Sequence, residues 1–434
     1  MKLINVIALF AFLNYSLTFS QEELSFEQAK NIALRNCYSV QIEKNFAIIA
    51  SNNNSFGNAG FLPSVDLLGN YTKSTQNVKQ NFFSGQSIEK TGASSKSLLA
   101  TAEVNWQIFD GMKMFATKEM LETLDEAALE ELQKNMEQTA LDVYRLYYDI
   151  VTQNTILSAT EQAIDFSAER LRIFDERFQL GSSSKLDFLQ AKVYYNSDKS
   201  DKLQIESRIQ QLQYSLNELL ARDPETQFVV TDSIDMNEHL EFSVLLDYAL
   251  KRNKDIILAE KSISAAKNNV TISESMYYPN IRLFANYELS DSRSESGFMA
   301  RNTSLSFRYG VNFSMNLFNG MNTSIQSQNA RIMLENNELL FSQTKLRVVT
   351  ELRIAYSHYS KQLEIVELEN ENVIAAKEAL DIAYEQLKLG TYSPLDLREA
   401  QKTYVQAFSR LVSAKYNYKQ SQAELLRISG LLLE

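Results

Sequence analysis

The chain has 434 residues, 44% of them hydrophobic, and a formal charge of -11 at pH 7. That hydrophobic share is too low for a bundle of membrane helices, and no basic excess exists to meet nucleic-acid phosphates. One cysteine, Cys37, and two histidines, His239 and His358, rule out an intrachain disulfide or a Cys/His metal cluster and leave no acid, base and nucleophile set for catalysis.

Residues 1–20 read as a secretory signal: Lys2 is the basic start, Val6–Leu13 the apolar run and Thr18-Phe19-Ser20 a small-x-small cleavage site. Cys37 follows Arg35 and Asn36, unlike the small residues before a lipid-anchored cysteine, and reads as a half-buried helix cysteine. No later stretch is apolar for 18 residues or more. The chain is therefore expected to be exported without a spanning helix. Leu24–Ser55 has helical spacing through Phe26, Ala29, Ala33, Val40, Phe46 and Ile49.

Pro63 opens a first strand, about 63–74, in which Val65, Leu67, Gly69 and Tyr71 alternate with more polar positions, Leu68 excepted. Residues 75–96 are polar with Gly85 and Gly92, and read as a long surface loop. The return strand, about 98–109, sets Ala100, Ala102, Val104, Trp106 and Ile108 against Thr101, Glu103, Asn105 and Gln107. From Met112 to Leu180 there is neither glycine nor proline, and a helix through that run would be about 100 Å long. Gly181–Ser184 breaks it. A second run, Lys185–Asp223, carries the side-by-side packing seam Ile205, Ile209, Leu212, Leu216 and Leu219. Residues 224–239 form a polar connector.

The pattern then recurs. Phe242 and Ala249 answer Phe26 and Ala33, and Pro279 answers Pro63, all 216 residues on. A shorter second loop, 291–302, drops the offset to 209. Phe318-Asn319-Gly320 then answers Phe109-Asp110-Gly111, Leu389-Gly390 answers Leu180-Gly181, and Leu395-Asp396 answers Leu186-Asp187. The chain thus divides into a first repeat, 21–223, and a second, 240–434, with strands about 279–290 and 303–317. Each repeat runs helix, strand, strand, long helix, tight turn, long helix.

In the last strand Leu305, Phe307, Tyr309, Val311 and Phe313 alternate with Ser306, Arg308, Gly310 and Asn312. Outer-membrane barrels are built from strands of this kind, apolar toward lipid and polar toward the lumen, with aromatic rims. The expected lipid-facing set is Val104, Trp106, Phe307, Tyr309, Val311 and Phe313, with Glu103, Asn105, Arg308 and Asn312 facing the lumen. Four strands cannot close a barrel, so membrane strands would require an oligomer of 8, 12 or 16 strands. Trp106, Phe109, Tyr277, Tyr278 and Phe318 fall where a periplasmic aromatic girdle would sit.

The doubled unit and the paired turns LGSSSKLDFLQA and LGTYSPLDLREA resemble the TolC family of outer-membrane efflux proteins over nearly all of the mature chain. The resemblance implies a mainly α protein with a membrane β-barrel. In it a homotrimer joins twelve strands, four per chain, to a hollow periplasmic α-barrel. It implies a duct in the outer membrane for a tripartite efflux or type I secretion system, served by a periplasmic adaptor and an inner-membrane pump or ABC exporter. By the same resemblance Leu180, Gly181, Leu389 and Gly390 mark the adaptor-docking turns, and Asp187, Asp396 and Glu399 the acidic periplasmic aperture. Leu387 and Tyr392 stand where some members have a tyrosine and an arginine that help lock the aperture. Acids in a first helical turn also cap helices, and for Asp187 and Asp396 that reading stands beside the aperture. No cofactor, metal or catalytic residue is implied. The alternative is a periplasmic coiled-coil, adaptor-like interaction protein, which would explain the helices and turns but not the two-faced strands.

Overall fold

The computed structural model describes residues 22–234, 236, 240–297, 299–388 and 394–433. The signal segment, His239, Leu389, Gly390 and Tyr392, and the side chain of Leu387, lie outside this description. Strand β1 (Glu22–Leu24) precedes helices α1 (Phe26–Asn36) and α2 (Tyr38–Asn53), strands β2 (Ser64–Asn81) and β3 (Ser87–Phe109), and helices α3 (Lys113–Gln179) and α4 (Lys185–Leu219). Strand β4 (Phe228–Val230) leads to α5 (Phe242–Arg252), α6 (Lys254–Glu274), β5 (Asn280–Ser294), β6 (Arg301–Ser314), α7 (Asn322–Lys388) and α8 (Pro394–Ile428).

The expected doubling is present, and left-handed residues mark it. Gly111 and Met112, with φ 72° and 74°, are matched by Gly320 and Met321, with φ 68° and 69°, each pair standing where a strand gives way to a long helix. Ala221 (φ 53°) and Gly430 (φ 70°) likewise end α4 and α8. Both ends close the same way: Ala221 N–H bonds to Glu218 O and Arg222 N–H to Asn217 O, as Gly430 N–H does to Arg427 O and Leu431 N–H to Leu426 O. This is the Schellman closure, which satisfies the last carbonyls of a helix.

Several expected boundaries differ. The polar stretch 75–96 is not a long loop: β2 and β3 continue through it and leave only 82–86 as the turn. The stretch 291–302 likewise shrinks to 295–300, and the last strand stops at Ser314 rather than 317. Past Tyr71 both faces are polar, so alternation fades while the backbone ladder runs on to Asn81↔Ser87. The helix expected over 24–55 is broken at Cys37, which holds extended geometry (φ -55°, ψ 128°) and is buried between α1 and α2. Asn253 breaks α5 from α6 with φ -61° and ψ 125°. The connector 224–239 contains β4, which pairs in parallel with β1.

The molecule divides into two compact units. One gathers the described parts of Met1–Cys37, Thr139–His239 and Ser357–Glu424. Its core contains the fully buried Tyr147, Leu141, Val143, Ile150 and Leu216. Phe26 sits against Tyr144, Tyr147 and Tyr148 with ring centroids 5.2, 6.0 and 5.7 Å away. The Tyr147 hydroxyl donates to Leu24 O at 2.8 Å and accepts from Thr231 N–H at 3.2 Å, so the buried polar group is satisfied. The seam residues Ile209, Leu212 and Leu216 of α4 are buried as their spacing predicts.

The other unit gathers Tyr38–Gln138, Leu240–Tyr356 and Leu425–Glu434, again in their described parts. It holds the four-stranded antiparallel sheet, in the order β2-β3-β5-β6, which leaves β2 and β6 as edges. Its helices pack through Val348, Leu352, Leu245, Ala249 and Leu425. Ion pairs cross between them: Lys134 and Arg347 both meet Asp255 at 3.0 Å, and Lys254 meets Glu130 at 2.8 Å. Among these helices Glu137 is buried, and burial pushes its carboxyl up to about 7 against the pull of Lys254 and Arg427.

Candidate functional site

The sheet is assembled from strands whose side chains alternate between faces, so its pairing decides what each face presents. Val65 lies opposite Val104, Val104 opposite Ala285, and Ala285 opposite Tyr309. The next row toward the strand ends that meet the long helices sets Trp106, Leu283 and Val311 together; the next row the other way sets Leu67, Ala102, Tyr287 and Phe307 together. Hence Val104, Trp106, Phe307, Tyr309, Val311 and Phe313 share one face, and the face is apolar on all four strands. Its side chains are not covered by the rest of the protomer: Leu67 is 82% exposed and Tyr309 78%.

The opposite face carries Glu103, Asn105, Arg308 and Asn312, with Arg282, Asn286 and Glu288 between them. Arg308 pairs with Glu288 at 2.8 Å. Phe284, an apolar intruder on this face, stands opposite Gly310. A Cβ at Gly310 would lie 2.9 Å from the Phe284 ring, so glycine there makes room for the aromatic across the strand pair. Between Gln107 and Phe109 the register slips by one residue, a bulge at the strand end. At this end Trp106 Nε1 donates to Phe61 O at 2.9 Å, and Tyr277, Tyr278 and Phe318 are exposed.

The first helical turn is also well defined. Gly181 takes φ 70°, its N–H bonds to Phe178 O at 3.0 Å and Ser182 N–H to Arg177 O at 2.8 Å. Ser184 then caps α4 in a reciprocal box: its hydroxyl accepts from Asp187 N–H at 3.1 Å, while the Asp187 carboxylate accepts from Ser184 N–H at 3.1 Å and from the Ser184 and Ser183 hydroxyls at 2.7 and 3.2 Å. These bonds, Ser184's first, hold the Asp187 carboxyl below the usual carboxylate range. Leu180, at 82% exposure, and Leu186 stand clear of the protomer. Of the second turn, Asp396 is exposed in the first turn of α8 and Glu399 is exposed three residues on; Leu389 and Gly390 fall outside the described residues.

Sequence reading missed a buried charge cluster near these acids. Arg398 of α8 forks onto Asp198 of α4, at 3.0 and 2.8 Å, with both side chains largely buried. The Tyr194 ring has two guanidinium groups over it, Arg398 at 5.1 Å and Arg170 at 5.3 Å. Arg170 is buried and its three guanidinium nitrogens have no hydrogen-bond acceptor among the described residues. Burial first, and then Arg398, pull it down to about 10. Glu399 lines a cleft of about 540 Å³ together with Asp198, Arg398 and Lys402. The partners are 200 residues apart, so no local motif pointed to them. No group of His, Cys, Asp and Glu among the described residues could hold a metal ion, and no described helix is long and apolar enough to cross a membrane.

A sheet with an exposed apolar band across one face of all four strands, joined to very long antiparallel helices, defines a class: proteins that place strands in a membrane and helices outside it. The sequence model of the outer membrane efflux protein family matches residues 50–222 and 245–431, and the chain belongs to that family. It is therefore a transport protein of the outer membrane and not an enzyme. The outer membrane protein TolC of Escherichia coli is 20% identical over 386 residues, covering 86% of this chain and 75% of that protein. TolC of Vibrio cholerae is 22% identical over 300 residues, covering 68% of each. Among solved structures, the Campylobacter jejuni CmeC outer membrane channel superposes with a TM-score of 0.79 at 16% identity, over 94% of this chain and 86% of that one. The fold is that of such channels.

Proposed function

We propose that this protein is the outer-membrane duct of a tripartite efflux or type I secretion assembly, working as a homotrimer. The observation that carries this is the open four-stranded sheet, with an exposed apolar band across one face of all four strands and with β2 and β6 unpaired at its edges. Unpaired edges are not viable in lipid. Three copies, edge to edge, close a barrel of twelve strands, with the Glu103 and Arg308 face turned to the lumen. The long helices extend into the periplasm, and the turns at Leu180-Gly181 and Leu389-Gly390 receive a periplasmic adaptor that links to an inner-membrane pump or ABC exporter. Asp187, Asp396 and Glu399 line the aperture. The capping box does not compete with this role, since a carboxylate bonded to its own turn keeps its charge. Mass measurement of the purified protein in mild detergent should give three chains. Photo-cross-linkers placed at Leu180 and Leu389 should capture the co-expressed adaptor. A stable monomer without detergent defeats the duct, and cross-linking only from sites elsewhere on the helices defeats the docking turns.

A further inference from the structure

Two rows outward from the last wholly apolar one, the apolar face of the sheet changes character within a single cross-strand row. Lys73 stands opposite Lys96, Lys96 opposite Arg293, and Arg293 opposite Arg301. One cation thus comes from each of the four strands. Side-chain alternation puts all four on the face of Tyr71, Leu98, Leu289 and Leu305, not on the face of Glu103 and Arg308. All four are exposed. In the part where four strands pair, every Lys and Arg of this face lies in this one row, in a chain whose net charge is -11. Two carboxylates offset them: Asp291, one row nearer the apolar band, accepts from Arg301 at 2.8 Å and from the Thr303 hydroxyl at 2.7 Å and stands 3.6 Å from Arg293, and Glu295, just past β5, feels the charge of Lys96. Lys73 and Lys96 form no ion pair among the described residues. Beyond the row the overhanging hairpin pairs Lys79 with Glu89 internally and Lys90 with Glu295, which follows β5.

From Ile281 to Leu289 the apolar band of β5 runs about 27 Å along the strand, or about 20 Å once strands tilt by 35–45°. A lysine or arginine on a lipid-facing strand is costly at mid-membrane and nearly free at its rim. Four in one row therefore mark the outer rim of the apolar slab. The same tilt makes the row climb by roughly 9 Å across a protomer, within reach of extended Lys and Arg side chains, which bury their stems and keep the charge at the surface.

We infer that the Lys73–Lys96–Arg293–Arg301 row is a binding site for the phosphate groups of lipid in the outer leaflet, a phosphorylated glycolipid above all. This rests on the membrane reading of the sheet. The occupant follows from charge complementarity. Neighbouring strands are about 4.8 Å apart, so adjacent cations can share one phosphate, and Arg293 and Arg301 offer planar forks suited to two of its oxygens. The row lies beside an apolar band that takes the acyl chains of the same molecule.

The test uses the full-length detergent-purified oligomer and native mass spectrometry. The probes are diphosphoryl lipid A, the same lipid after phosphatase treatment, and inorganic phosphate as competitor. The native protein should retain the phosphorylated lipid over the dephosphorylated one by on the order of tenfold, and inorganic phosphate should not displace it. Lys73→Gln, Lys96→Gln, Arg293→Gln and Arg301→Gln together should remove the preference, whereas Arg282→Gln with Arg308→Gln, on the other face, should keep it. The comparison of lipids on the native protein needs no variant to fold. An intact oligomer that holds both lipids equally overturns the phosphate site alone. A monomer that holds no lipid overturns the membrane reading as well.

Discussion

In the sheet β2-β3-β5-β6 large apolar side chains stand exposed, Leu67, Tyr309 and Phe307 among them. In the helices around Tyr194 it is the charged side chains that are buried: Asp198 is 6% exposed and Arg170 4%. Each region inverts the usual rule, and each inversion points to a different cause. Exposed apolar area on one face of every strand is stable only in an apolar medium or under cover. A buried charge is costly unless it is paired, which Asp198 and Arg398 are and Arg170 is not. The sheet thus reports its surroundings, whereas the helical cluster reports an internal constraint.

The sharpest way to break the helical side of this contrast is Asp198→Ala. It leaves the buried Arg398 guanidinium without its carboxylate and beside Arg170, and should cost about 3–5 kcal/mol, read as a lowered midpoint in thermal unfolding of the purified protein. Arg170→Met removes a buried cation that has no acceptor among the described residues, so the midpoint should hold or rise. If both variants fall equally, Arg170 has a partner after all. On the sheet side, Val311→Lys near the middle of the apolar band should cost about 2–4 kcal/mol, and Asn312→Lys, one residue on, well under half of that. Folding yield into lipid vesicles measures both, and equal losses would mean that the faces are wrongly assigned.

Glu137 sharpens the comparison, because it is a buried acid in the same unit as the exposed sheet. Its folded pKa of about 7 lies above the ordinary 4.5, so the folded state holds this proton more tightly than the unfolded chain does. The associated stability is fully present below pH 4.5 and is lost as pH rises to 7, by at most about 3 kcal/mol. Glu137→Gln should flatten the fall in unfolding midpoint between pH 4.5 and 7.5, and a profile as steep as that of the native protein would mean that another group titrates. The smallest effect is expected at Gly181. A Cβ there meets nothing within 4 Å, so Gly181→Val should cost only the left-handed backbone, about 1–2 kcal/mol. The oligomer should persist while efflux falls, and unaltered efflux would remove this turn from the docking surface.

Much of this arrangement was legible in the sequence because a period of two survives without tertiary knowledge. Phe307, Tyr309, Val311 and Phe313 were assigned one face, and the ladder puts them there. Asp187 was legible as an acid that caps its helix, and it does so, but its reciprocal partner Ser184 was not singled out. The outer halves of β2 and β3 were not legible, because Thr75, Gln76, Ser94 and Ser95 are polar on both faces and only backbone pairing makes them strand. The breaks at Cys37 and Asn253 carry neither glycine nor proline. Asn253 left one local trace, an amide oxygen that accepts from Asp255 and Ile256 N–H at 3.0 and 3.3 Å, the usual work of an asparagine before a helix. Nothing local announced Arg398, whose neighbours Leu397 and Glu399 look like any helix face; its role exists only once Asp198 is brought beside it.

The left-handed residues that close α4 and α8 tell a history. Ala221 and Gly430 hold the same backbone shape at the same point of two copies of one unit, as a duplicated segment leaves behind. At Gly430 a methyl group would come within 2.9 Å of the Arg252 backbone oxygen and its Cβ, so that copy cannot drift to alanine without moving α5. The copy ending α4 carries alanine at the strain of a left-handed L-residue. Doubling a gene frees each half to forget separately. What either half still remembers is written by the neighbour pressed against it.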